Sequence, residues 1–181
     1  MNRRRALTGV AAVGAWIMLG AQTPSYQWKR GRAGDLLLYC NGEDPGSSMV
    51  GETLASRLRD ILRDSGARVA PEATPAGIAS ALSKGKSGLA IMAYDIALEM
   101  YQGAAPFQKF GPIELRVLVE NYKFQVLCLA DFEHGQAYLV TQALMGDPEP
   151  LKLTVPDRPV GAANRDSIPT HRGALAFLKG G

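Results

Sequence analysis

The sequence predicts an α/β fold in three layers, a mostly parallel sheet with helices on both faces. Three observations lead there. Short uninterrupted apolar runs, residues 35–40 and 88–93, read as strands buried on both sides. Between them, apolar residues three and four apart form stripes that suit helices covering a sheet. Turn residues separate each run from the next, so strands and helices alternate, and alternation of this kind calls for parallel pairing.

Residues 74–103 organise the chain. Thr74 is placed to cap a helix that opens on Pro75, where the missing N–H costs nothing. Ile78 and Leu82 share one face of it, and Lys84-Gly85 closes it. The run 88–93 is the next strand. Tyr94 and Asp95 follow at its carboxyl end, with Asp95 as candidate cap of a helix over 96–102 that Gly103 stops. Ligands of open α/β sheets sit outside the carboxyl ends of the strands, so Tyr94 and Asp95 fall where a ligand belongs.

Upstream, residues 25–34 read as a polar, Gly-rich tether and 35–40 as the first strand. After the loop 41–46, Ser47-Ser48 open a helix striped by Val50, Leu54, Leu58, Ile61 and Leu62, with Glu52, Arg57, Arg59 and Asp60 on its wet side. Ser65-Gly66 ends it, and 67–70 is a short second strand. Downstream, Phe107 and Phe110 pin a Pro/Gly loop over 104–112. Residues 114–119 and 123–130 read as strands separated by Asn121-Tyr122, and 136–145 as a helix. The Pro-rich stretch 147–169 holds one strand-like run, 151–155, and a short helix over 173–179 closes the chain, with Thr170 or His171 at its start.

The chain of 181 residues is long enough for one domain with a real core. Its first 24 residues stand apart. Arg3-Arg4-Arg5 precede an uncharged apolar run, 6–19, and then small and polar residues, the pattern of a secretory signal with a loose twin-arginine look. An uncleaved anchor is the alternative. That segment carries three of the 20 basic residues and none of the 17 acidic ones, which leaves 17 of each sign. The remainder has no basic stripe for nucleic acid. Residues 25–181 are expected to form a single lobe, with 35–130 as core and 131–181 packing back on it. Two cysteines, Cys40 and Cys128, lie in apolar strand runs and read as unpaired core thiols, a disulfide being the alternative. With no CxxC and two histidines, no zinc site is expected and no cofactor is implied.

Candidate binding residues are Ser47, Ser48, Thr74, Tyr94 and Asp95. Hydroxyls and free N–H groups at a helix N-terminus suit an anion such as a carboxylate. Each has a plainer reading as well: Ser47, Ser48, Thr74 and Asp95 as caps, Tyr94 as a half-buried aromatic. Enzyme motifs fail. Val50 stands where a nucleophile elbow around Ser48 needs Gly. Gly85-Lys86-Ser87 imitates a P-loop, but Ser80 replaces its first Gly and the segment runs from helix to strand. A pairing of Cys40 or Ser48 with His134 or His171 is the remaining catalytic alternative, one that only geometry can reveal.

Ser47-Ser48-Met49-Val50-Gly51-Glu52-Thr53-Leu54-Ala55 is the first of three stretches that carry a resemblance. The others are the set Gly88, Leu89, Ala90, Asp95, Ala97, Tyr101 and Gly103, and the C-terminal Pro169, His171, Gly173 and Ala174. Together they resemble the TAXI family, the periplasmic solute-binding proteins of tripartite (TRAP) transporters. The resemblance implies one lobe of a type II periplasmic binding protein, with the second lobe missing. Asn41-Gly42-Glu43-Asp44 departs from the family's Gly-Gly turn and puts carboxylates where an anion would be repelled. The function it implies is non-enzymatic: periplasmic capture of a small polar or carboxylate-bearing ligand for transport or sensing, with membrane transporter subunits as partners. The alternative is an orphan lobe acting as an adaptor for another envelope protein, or pairing with a second copy through its open cleft face.

Overall fold

The computed structural model describes residues 35–72, 74–84, 88–161 and 166–180. The segment read as a secretory signal, the stretch read as a tether, Ala73 and Gly85-Lys86-Ser87 lie outside them. The fold is α/β, as the alternation predicts. Its strands are β1 (Leu37–Asn41), β2 (Arg68–Glu72), β3 (Leu89–Ala93), β4 (Leu115–Glu120) and β5 (Phe124–Leu129). Its helices are α1 (Pro45–Ile61), α2 (Pro75–Ser83), α3 (Tyr94–Gln102), α4 (His134–Met145) and α5 (Arg172–Leu178). They build one open, mixed sheet in the order β2-β1-β3-β5-β4. β1 pairs parallel with β2 and β3, while β5 runs antiparallel between β3 and β4. Four of the five strands therefore point the same way.

Strand alternation sorts the core into two clusters. Leu38, Cys40, Leu89, Ile91, Val126 and Cys128 pack beneath α1, α4 and α5. Tyr39, Ala90, Met92 and Leu127 face the opposite way, against α2 and α3. Each fully buried leucine contributes about 1.5–3 kcal/mol. In β4 the alternation breaks: a bulge between Val117 and Val119 turns both Leu118 and Val119 toward the first cluster.

Caps differ from the sequence reading in two places. α1 begins at Pro45, and Asp44 caps it, accepting from Gly46 N at 2.9 Å. Ser47 and Ser48 are therefore inside the helix rather than capping it. α3 begins at Tyr94 behind Ala93, with no side-chain cap, and Asp95 sits exposed in its first turn, where its charge still favours the helix dipole. Thr74 caps α2 as expected, accepting from Gly77 N at 3.2 Å. Gly103 ends α3 in the left-handed region at φ 67°.

Arg57, assigned to the wet side of α1, instead clasps α4. Its guanidinium donates to the Leu144 carbonyl at 3.0 Å and pairs with Asp147 at 2.8 Å. Among the described residues the Pro-rich stretch forms no strand; single bridges of Thr154 and, just beyond it, Thr170 cover the outer edge of β4. That pairing protects an edge that would otherwise template association. Among the described residues no helix is long and apolar enough to cross a membrane.

Candidate functional site

The crevice follows from the connections. After β1 the chain turns into α1 on one face of the sheet, whereas after the adjacent β3 it turns into α3 on the other. Departure to opposite sides leaves a gap outside the two strand tips, the switch point where α/β sheets bind ligands. A pocket of about 340 Å³ lies there. Asp44, Ser47 and Met49 supply its α1 wall, Met92 the β3 wall, and Lys123 and Phe124 the far side.

The hairpin between β4 and β5 brings Lys123 and Phe124 into place. Because β5 runs antiparallel beside β3, its first residues reach the same edge as the tips of β1 and β3. The Asn121 side chain sets the turn, its Oδ1 accepting from Lys123 N at 2.8 Å and Phe124 N at 2.9 Å. The Lys123 ammonium lies 5.4 Å from the Tyr122 ring centroid and forms no ion pair among the described residues. The Asp44 carboxylate lines the same pocket and accepts from Gly46 N at 2.9 Å.

Of the five residues singled out in the sequence, Ser47 alone lines this pocket, and its hydroxyl donates to the Ile91 carbonyl at 3.4 Å. Ser48 donates to Asn41 O at 3.5 Å. Thr74 is occupied as a cap one strand further out. Tyr94 is 42 % exposed, and its hydroxyl reaches across to the Asp166 carbonyl at 3.3 Å. Asp95 is exposed on α3. All stand at the carboxyl edge of the sheet without converging on one cavity. Lys123 and Phe124 were missed, whereas Asp44, expected beside the site as a source of repulsion, does line it. The short Asn121-Tyr122 link between two strand runs was the available signal, since a hairpin turn must fall at the end where β4 finishes.

A second cavity, of about 410 Å³, opens at the other end of the sheet and holds both histidines. His171 is buried there, its Nε2 meeting the Phe132 carbonyl at 3.0 Å and its Nδ1 accepting from Gly173 N at 3.1 Å. Of its two alternatives at the start of α5, His171 is the cap. Burial lowers its pKa, partly offset by the Phe132 hydrogen bond. No histidine lines the strand-tip pocket beside Ser47, so Ser48 and Cys40 have none at that end.

Both cysteines are free and buried. Burial pushes the Cys40 thiol up to about 12 and raises Cys128 as well. Thiolates are the reactive form, so neither thiol is expected to react with a disulfide reagent in native protein at neutral pH. Labelling should proceed only at the rate of unfolding; rapid labelling of the folded chain would contradict this burial. Among the described residues no group of three or more His, Cys, Asp or Glu is placed to hold a metal ion.

Fold and pocket together define an open α/β lobe whose cavity lies at a switch point between strand tips. Compared with known proteins, the chain matches no family model and no curated protein.

Proposed function

We propose that this chain is a non-enzymatic solute-binding module of the cell envelope, of the TRAP-TAXI kind its sequence resembles. It takes a small polar or carboxylate-bearing molecule at the tips of β1 and β3, for transport or sensing in the periplasm. One observation carries the reading: a pocket of about 340 Å³ at the switch point, lined by a lysine that makes no ion pair among the described residues. That volume lies within the roughly 300–1,000 Å³ of small-molecule sites. Lys123 supplies the charge, and Phe124 and Met92 the apolar wall.

A panel of carboxylates and amino acids tests it by thermal shift, since a ligand that binds only the folded state stabilises by mass action. A hit should weaken on the order of tenfold in Lys123→Ala, the loss of one charge-assisted contact. Equal affinity in the variant, or a flat panel, counts against the assignment.

The second reading, an adaptor lobe, draws on a different observation. Met49, Tyr94 and Tyr122 are 68 %, 42 % and 79 % exposed around the same end of the sheet. Such a rim suits a protein partner or a second copy closing over the cleft. A flat ligand panel, together with a dimer or stable complex lost on Tyr122→Ser, favours it.

A further inference from the structure

The cavity at the amino ends of the parallel strands is larger than the strand-tip pocket and plays no part in the reading above. It lies where β5 finishes and β4 begins, and its charged lining divides into engaged and unengaged groups. Glu133 is engaged: its Oε1 and Oε2 accept from Gly135 N at 2.9 Å and Gln136 N at 2.7 Å, closing the start of α4. His171 is engaged through both ring nitrogens.

Arg116 is different. Its side chain is 13 % exposed, and its guanidinium is fixed by the Glu114 carboxylate at 3.3 Å and by the Leu115 carbonyl at 2.6 Å. A guanidinium has five N–H donors in a rigid fork. Nη1 makes two of its three contacts and Nη2 the third, which leaves Nε–H and one Nη2–H without an acceptor among the described residues. Its carboxylate partner is 61 % exposed and so water-screened. Arg172, the first residue of α5, lines the same cavity, and its side chain makes no hydrogen bond or ion pair among the described residues. Both guanidiniums lie near enough to His171 to oppose its protonation. Against these two cations the cavity sets, among the described residues, one unengaged carboxylate, Asp131.

We propose that this cavity is a second binding site, for a small oxyanion, a carboxylate or a phosphate monoester, held between Arg116 and Arg172. Planar guanidinium forks match the oxygens of either group. A volume of about 410 Å³ admits a body larger than the anion itself. Asp131 sets the orientation, since it repels a second anionic group and accepts from a hydroxyl or ammonium.

The test is an amide-resolved NMR titration of the full chain with inorganic phosphate and, separately, with citrate. Saturable shifts are expected at Arg116, Phe132, His134 and Gly173 with at least one probe. Response to citrate alone assigns a carboxylate ligand, and response to phosphate alone a phosphate. Arg172 is exposed, so Arg172→Gln should leave the urea midpoint unchanged while weakening binding about tenfold. Arg172→Lys should fall between, and Asp131→Asn should tighten binding. Lys123→Ala, at the other end of the sheet, should have no effect on it. The proposal is overturned if neither probe gives saturable shifts, if the shifts map to Ser47 and Phe124, or if Arg172→Gln binds like the parent.

Discussion

Gly173→Val is expected to destabilise the fold by about 3 kcal/mol, the upper part of the range for overpacking a site that cannot relax. At this residue α5 lies directly against α4. A Cβ there would come inside contact distance of the His134 carbonyl oxygen, and within 2.8 Å of Ala137 Cβ and Tyr138 N. Two of the three obstacles are backbone atoms of α4, so no rotamer change clears them. The adjoining Tyr138–Phe177 ring contact, 6.0 Å between centroids, holds the helices together and resists their separation. Urea unfolding measures the effect as a lower midpoint at constant slope. Gly146→Ala is the control. That glycine has ordinary helical angles, φ −61° and ψ −24°, and a Cβ would meet nothing nearer than 3.6 Å. Alanine there should be neutral or slightly stabilising. Equal midpoints for the two variants would mean that the helices are not in contact at Gly173.

Local rules carried much of the fold, and their failures are instructive. Asp44-Pro45 and Thr74-Pro75 follow one grammar, a capping side chain before a proline at the first helical position. Reading it at Thr74 and not at Asp44 is what displaced Ser47 and Ser48 into capping roles. At α3 no local rule serves, because Ala93 has no side chain that could announce a start. The place of β5 could not be read locally at all. Its antiparallel insertion between β3 and β4 is decided by which edge it covers, a contact between distant residues, whereas a parallel alternation is visible run by run. The site inherited that gap. Positions after β1 and β3 are legible because strand tips are, but Lys123 and Phe124 join the pocket only through the sheet order.

The second large effect concerns His171. His171→Ala should destabilise by about 3 kcal/mol at neutral pH, joining a lost helix cap of about 1 kcal/mol to a buried carbonyl, Phe132 O, left unpaired at about 1–3 kcal/mol. The parent should also show a pH dependence that the variant lacks. Nδ1 must stay unprotonated to accept from Gly173 N, so Nε2 carries the only proton, and protonating the ring would break the cap. Burial, with His134, Arg116 and Arg172 nearby, lowers the folded-state pKa below the ordinary 6.5. Below 6.5 the unfolded chain therefore binds more protons than the folded one, and stability falls as pH falls. The contribution is complete above 6.5 and is withdrawn progressively down to the depressed folded value. His171→Asn separates the two roles, because asparagine caps well but does not titrate. Its urea midpoint should lie between parent and His171→Ala at neutral pH and lose less between neutral and mildly acid pH than the parent's. A parent whose midpoint is as flat as that of His171→Asn across this window would mean that His171 accepts a proton in the folded state without losing its place.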